Sequence, residues 1–391
     1  MQDYLTPAAA LPEDGCAGTL VGRAWLPGDV PGPSVVALRE DGVFDLGRIA
    51  PTITDLLNAD DPVGLARAAG ERIGDLAPIL ANSAHDRRDP AMPYLLAPCD
   101  LQALKASGVT FATSLLERVI EEHARGDASK ADAIRRTITD LIGTDLSRIA
   151  PGSDAAMRLK EHLIAQGAWS QYLEVGIGPD AEIFTKTAPM AAVGTGSEIG
   201  IRADSSWNNP EPELVLAVSA RGAIVGATLG NDVNLRDFEG RSALLLGKSK
   251  DNNASCAIGP FLRLLDDTLS LDRLRRTTIG LRVRGEDGFE LTGTSSMAEI
   301  SRDVADLVGQ TIGPNHQYPD GLMLFCGTMF APIQDRDHAG EGFTHKVGDV
   351  VTIACPELGM LANRIEHCDR IAPWTFGANA LMRNLARRRL L

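Results

Sequence analysis

Residues 209–232 read "NPEPELVLAVSARGAIVGATLGND". Glu211 and Glu213 flank Pro212, and the apolar run Leu214–Val218 follows at once. That run has the β-branched content of a core strand. The stretch therefore predicts a β-hairpin, with a strand over 214–219, a turn at Ala220-Arg221-Gly222 and a return strand over 223–229. Along a strand, residues i and i+2 share a face, so the two glutamates converge. Adjacent carboxylates repel unless a cation or a proton lies between them. From the pair alone, a solvated strand end capped by acids reads equally well. The hairpin adds a third acid, because its return strand brings Asp232 back beside Glu211 and Glu213. Three carboxylates then share one small volume. An all-oxygen, multiply anionic site suits Mg²⁺, Mn²⁺ or Ca²⁺ and not a soft metal.

The 391 residues around this stretch are long enough for more than one domain. The net charge of −14 argues against nucleic acid or an anionic membrane as partner. No apolar run approaches the roughly 20 residues of a membrane span, and the first residues lack a signal-peptide pattern. A cytoplasmic location is the expectation. The cysteines at 16, 99, 256, 326, 355 and 368 form no CxxC pair and read as buried thiols. Residues 1–90 read as an N-terminal domain of a few strands, a hairpin at Glu40-Asp41-Gly42 and a helix in "TITDLLNADDPVGLARAAG", closed by a linker in "HDRRDPAMPYLLAPCD". Residues 91–391 form the larger domain. Within it about 112–172 is patterned as charged helices, an insertion read as a lid with few core-forming residues of its own, and β-rich sequence follows. "GTGSEIG" at 194–200 precedes no helix pattern and reads as a turn, not a dinucleotide motif.

Glu-x-Glu, a hairpin ending in Asn-Asp-x-x-x-Arg-Asp, a lysine and "CAIGP", then "CGTMFAP" and "KVGDVVTIACPELGMLANRI", resemble the fumarylacetoacetate hydrolase superfamily. The resemblance covers roughly residues 95–370, with the motifs in the family's order. It implies an α+β fold, a β-roll with peripheral helices, joined here to the smaller N-terminal α/β domain, and a homo-oligomer, dimeric or tetrameric. It also implies that Glu211, Glu213 and Asp232 hold Mg²⁺, with Mn²⁺ and Ca²⁺ as alternatives. Hydrolase members carry G-x-N-Y-x-x-H-x-x-E, whose His and Glu activate water. The matching "GVTFATSLLE" has Thr110 and Phe111 for Asn-Tyr, Ser114 for the histidine, and Glu117. Serine has no group titrating near neutrality and cannot replace that base.

"SGVTFATSLLER", "IGIRADSSWNNPEPEL" and "ASCAIGPF" resemble instead a sugar-acid dehydratase branch of the superfamily. The resemblance implies a small-molecule sugar-acid substrate, a 2-keto-3-deoxy-pentonate derived from D-xylose or arabinose, converted to 2-oxoglutarate semialdehyde by enolate formation and loss of the C4 hydroxyl. Glu117, desolvated by a closing lid, is the expected proton-transfer group, steered by Ser114. An active-site lysine falls on Lys250 when counted back from "CAIGP" without a gap, or on Lys248 after a two-residue insertion. Thr110, Phe111, Lys186 and Thr328 are the expected substrate contacts. Arg236 and Asp237 read as a pair orienting the metal ligands or as a structural ion pair, and Gln317, Tyr318 and Pro319 as neighbours of the site. A metal-dependent acylpyruvate-type C–C hydrolase or 2-oxo acid decarboxylase stays open, with Glu121, Glu122 or His123 as its base, as does a non-catalytic binding protein.

Overall fold

The hairpin forms as the antiparallel strands Pro212–Val218 and Ile224–Asp232, with Glu213 opposite Gly230 and Pro212 opposite Asn231. Gly222 closes the turn at φ +78°, a conformation most side chains avoid. The structure, a computed structural model, describes residues 1–391 except 69, 143–148, 168, 331, 338 and 341, and describes 137–142 by backbone alone.

Among the described residues, eleven strands join one sheet around this hairpin. From edge to edge it runs Glu71–Gly74, Gly42–Asp45, Gly32–Arg39, Leu20–Leu26, Cys256–Leu264, the return strand, the first hairpin strand, Leu322–Phe325, Ala103–Ser107 and Ile183–Thr187. A second sheet is ordered Glu290–Ser296, Thr278–Arg284, Val350–Cys355, Gly359–His367 and Glu198–Ile201. The hairpin strand is apolar throughout because both its faces are covered. Leu214, Leu216 and Val218 pack with Ile279, Leu281 and Ile353 of the second sheet, whereas Val215 and Ala217 pack with Ile53, Leu57, Leu104 and Phe325. Each large side chain so buried contributes about 1.5–3 kcal/mol. Glu211 and Glu213 continue the Val215 face beyond the end of that apolar contact.

The N-terminal strands continue the same sheet, since Leu20–Leu26 pairs with Cys256–Leu264. Two local expectations are corrected. The stretch expected as a linker supplies the strand Tyr94–Leu96 on Leu20–Leu26, and its buried Asp100 accepts hydrogen bonds from Ile53 N at 2.7 Å and Thr54 N at 3.1 Å. The single helix expected after Thr52 is two, Ile53–Asn58 and Pro62–Arg67, because Asp61 caps a new start and Pro62 takes its first position.

The helices Ala112–Ala124, Ala131–Ile142, Asp154–Ala165 and Gln171–Ile177 pack outside the sheet. Ser153 and Ser170 cap two of them. Contrary to expectation, this segment has a core of its own, built from Leu115, Val119, Ile120, Leu163, Leu173 and Trp207. Helical spacing alternated these residues with charges, so the stripe was diluted in the linear pattern. No described helix is long and apolar enough to cross a membrane. All six cysteines are free thiols.

Candidate active site

The return strand ends beside Glu211, where Asp232 N donates to the Glu211 carbonyl at 3.1 Å and Glu211 N donates to Asn231 Oδ1 at 3.0 Å. Oxygens of Glu211, Glu213 and Asp232 lie within 4.8 Å of one another. Each residue is only 1% exposed, which removes the reading of a solvated strand end. Lys250, at the end of the helix Leu246–Lys250, bridges two of them, with Nζ 2.5 Å from Glu211 Oε2 and 3.0 Å from Asp232 Oδ2. Glu213 accepts from Gly327 N at 2.7 Å and from the Thr328 hydroxyl at 3.3 Å. Gly327 has φ +101°, and a Cβ there would collide with Thr110.

These charges polarise one another. Burial pushes the Glu213 carboxyl up, and the Asp232 and Glu211 charges push it further. Burial acts the same way on Glu211, but Arg118 and Lys250 overcome it and hold that carboxyl at about 2. Burial alone would lower Lys250, yet Asp232 and Glu211 raise it above the ordinary lysine range. Three hard oxygen donors, with a cationic ammonium drawn between two of them, fit a divalent cation such as Mg²⁺.

The cavity beside the triad is lined by Ser107, Gly108, Val109, Ser114, Arg118, Glu182, Phe184, Glu211, Asp232, Glu239, Lys250 and Thr328, and measures about 10 Å³. That is room for one water molecule. A five-carbon acid enters only if a wall moves. Val109 holds φ +48°, a strained backbone for a β-branched residue, at this wall.

Of the residues expected from sequence, the structure brings Glu211, Glu213, Asp232, Lys250, Ser114 and Thr328 together. Lys248 lies elsewhere, its Nζ 4.9 Å from the centre of the Phe238 ring. Lys186 is behind the triad: its Nζ is 2.9 Å from Asp232 Oδ1 and donates to the carbonyls of Val233 and Lys250. With the Ser255 hydroxyl at 3.5 Å as third acceptor its N–H groups are used and Asp232 is met by charge alone, and Lys186 is absent from the cavity wall, so the expected contact with a substrate carboxylate is corrected. Thr110 and Phe111 are absent from the cavity wall: the Thr110 hydroxyl donates to the Cys326 carbonyl at 2.7 Å, and Phe111 joins the inter-sheet core. Ser114 turns its hydroxyl back to its own helix, donating to Phe111 O at 2.9 Å.

Glu117 needs the largest revision. Arg135 holds both its oxygens, at 3.0 and 2.9 Å, and Arg236 donates to Oε2 at 3.1 Å. Burial works to raise this carboxyl, but the Arg135 hydrogen bonds and the Arg236 charge prevail and hold it below the usual range. Glu117 is not in the cavity wall, and the rise expected of it when a lid closes over substrate is opposed by these two guanidiniums. Arg236 and Asp237 do not pair either: Arg236 serves Glu117 and Glu121, while Asp237 accepts from Ser205 and Ser206. Glu121 is spent on Arg118 and Arg236, Glu122 accepts from Ser170, and His123 is exposed. Gln317 bonds to the carbonyls of Gly313 and Pro314, and neither it, Tyr318 nor Pro319 lines the cavity.

Three wall residues had no sequence signal. Arg118 reaches from the helix Ala112–Ala124 to Glu211, donates to Glu121 at 2.7 Å, and has Nε 3.6 Å from Glu239. Glu182 presses its carboxylate against Gly108, where a Cβ would collide with it. Burial, with the Glu239 charge, raises Glu182 to about 7. Glu239 ends the helix Arg236–Glu239 and keeps Oε2 without a hydrogen-bond partner among the described residues.

Residues 159–366, more than half of the chain, match the fumarylacetoacetate hydrolase C-terminal family model. The chain belongs to the fumarylacetoacetate hydrolase family. Within it, the chain is 32% identical over 188 residues to 2-dehydro-3-deoxy-D-arabinonate dehydratase of Saccharolobus solfataricus, a match covering 47% of this chain and 58% of that protein. It is 27% identical over 263 residues to a probable 2-keto-3-deoxyxylonate dehydratase of Haloferax volcanii, covering 61% of this chain and 87% of the relative. A solved 2-keto-3-deoxyarabinonate dehydratase superimposes with a TM-score of 0.63 at 21% identity, over 90% of this chain and 100% of that one. A 2-keto-3-deoxy-D-arabinonate dehydratase complexed with magnesium and 2,5-dioxopentanoate gives 0.58 at 22% identity, over 90% and 100%. At those identities the likeness is one of fold, the β-rich fold of this family with its outer helices.

Proposed function

We propose that this chain is a Mg²⁺-dependent hydro-lyase that converts a 2-keto-3-deoxy-pentonate to 2-oxoglutarate semialdehyde (2,5-dioxopentanoate). The observation that carries the reading is the buried triad of Glu211, Glu213 and Asp232, bridged by Lys250, beside a wall that has Ser114 where a hydrolase has its water-activating histidine. The relatives' names agree with it, as does the magnesium and 2,5-dioxopentanoate complex of a protein with the same fold.

Mg²⁺ held by the three carboxylates would supply Lewis acidity toward a 2-oxo carboxylate, acidifying the C3 protons. The protein's own part is positioning and proton transfer. Gly327 N and Thr328 orient Glu213, and Lys186 holds Asp232 from behind. Lys250 keeps a positive charge beside the developing enolate oxygen. Proton removal from C3 passes from Glu117 to Glu182, whose carboxyl faces the cavity and is raised to about 7, within reach of neutral pH. The helix Ala112–Ala124 would withdraw to admit substrate and close again over it, taking Arg118 with it. A homo-oligomer acting in oxidative pentose breakdown completes the reading.

The test is a product assay. With Mg²⁺ and a D-xylonate- or arabinonate-derived 2-keto-3-deoxy-pentonate, an added semialdehyde dehydrogenase should reduce its nicotinamide cofactor, EDTA should stop the reaction, and an acylpyruvate should not be cleaved. Cleavage of the acylpyruvate with no semialdehyde formed would replace this reading with the hydrolase one.

A further inference from the structure

Glu239 is a buried carboxyl that the scheme above leaves without a task. It is 4% exposed, lines the cavity, and has one oxygen 3.6 Å from Arg118 Nε and the other, Oε2, without a hydrogen-bond partner among the described residues. A buried carboxyl oxygen with nothing to bond is costly unless something else occupies it. The same Arg118 touches Glu211, so Glu239 lies across one guanidinium from the triad. A substrate held by its C1–C2 end at the triad has C4 two bonds further on, about 2.5 Å beyond C2. That carbon bears the hydroxyl that must leave. Hydroxide is a poor leaving group, and a proton delivered as the C–O bond breaks commonly contributes about 10²–10⁴-fold.

We propose that Glu239 is the proton donor to the departing C4 hydroxyl, a role that rests on the dehydratase reading. Glu182 takes the C3 proton and the C3–H electron pair forms the enolate. That pair then makes the C3–C4 double bond as the C4–O bond breaks. The Glu239 Oε2–H bond gives its proton to the departing oxygen, which leaves as water, and the carboxylate is reprotonated from solvent. The 3-ene left behind tautomerises by losing a C5–H proton and the C5 O–H proton and gaining protons at C3 and C4, which gives the aldehyde. Both acids are raised, Glu182 to about 7, so geometry and not a contrast in acidity divides their tasks: Glu239 Oε2 is the oxygen left unpartnered among the described residues. Burial raises Glu239, with Glu121 and Glu211 adding to it against Arg118 and Lys250, which favours the protonated donor.

The test separates the two proton transfers. In D₂O with Mg²⁺, Glu239→Gln should lose about 10²–10⁴-fold in semialdehyde formation, while deuterium still enters C3 of unreacted substrate, followed by NMR. A 4-fluoro analogue, whose fluoride needs no proton to leave, should restore turnover of the variant relative to wild type. Glu239→Asp, which keeps the acid one methylene back, should lower the ratio of elimination to exchange less than Gln does. That ratio does not depend on folding yield. Elimination by Glu239→Gln within a few-fold of wild type overturns the assignment, as does equal loss of exchange and elimination. A wild-type protein that forms no semialdehyde at all would sink the dehydratase reading instead.

Discussion

Glu213 is the residue on which the metal site turns. Among the described residues it is the triad acid that forms no ion pair with Lys250, and its hydrogen bonds come from Gly327 N and Thr328. Removing its charge should cost more than removing its support. Glu213→Gln is expected to abolish the calorimetric signal of Mg²⁺ binding, and Thr328→Val to weaken binding about tenfold, the usual worth of a group that orients a ligand. A Glu213→Gln protein that binds Mg²⁺ as wild type does would remove this residue from the site. Glu182 gives a pH prediction for the metal-free protein. Its folded value of about 7 exceeds the ordinary 4.5, so the folded chain keeps a proton that the unfolded chain has released. The stability it contributes is full below pH 4.5 and is lost as pH rises through 7. Denaturant unfolding of Glu182→Gln should therefore gain on wild type from about pH 5 and level off above about pH 7, and a pH-independent difference would contradict the raised value. The triad was legible in sequence because two of its acids obey the period of a strand and the third closes a short hairpin. Arg118, Glu182 and Glu239 were not, because each reaches the cavity through packing between elements far apart in the chain.

At the scale of elements, the helix Ala112–Ala124 is the part most changed from its sequence reading. The pattern located the helix and its charged face, but not what the charges meet. Glu117 and Glu121 face Arg236 and Arg135 across an interface the linear pattern cannot display. Glu117 then holds the helix against the Arg236 turn. Glu117→Gln is expected to cost about 1–3 kcal/mol of local stability, as the loss of buried charged hydrogen bonds does. Hydrogen exchange should quicken in residues 112–124, with semialdehyde formation reduced less than about tenfold. A loss of 10²-fold or more with unchanged exchange would return the proton-transfer role to Glu117. In wild type, a bound substrate analogue should slow exchange in the same helix, since a cavity of about 10 Å³ cannot admit a five-carbon acid without its opening and closing.

At the scale of the molecule, the sheet ties the N-terminal strands to the site. Leu20–Leu26 pairs with Cys256–Leu264, whose neighbour is the strand that carries Asp232. Phe261 of Cys256–Leu264 packs with Leu5, Leu20, Val36 and Leu95. A chain beginning at residue 91 should expose this strand edge and apolar face and aggregate, because unpaired edges invite association. Recovery of a soluble 91–391 fragment with a cooperative unfolding transition would show that the larger unit stands alone. The strands Leu20–Leu26, Gly32–Arg39 and Gly42–Asp45 were legible individually, the last two through the turn between them, whereas Glu71–Gly74 was not. Their place in the larger sheet was not, since pairing between Leu20 and Arg263 leaves no local mark. The central claim, that this fold and triad remove water from a sugar acid, is tested most directly by following a ¹³C-labelled 2-keto-3-deoxy-pentonate with the protein and Mg²⁺ by NMR. The account predicts one labelled product, 2,5-dioxopentanoate, in amounts equal to substrate consumed. Carbon–carbon cleavage products, or unchanged substrate beside protein shown to bind Mg²⁺, would contradict it.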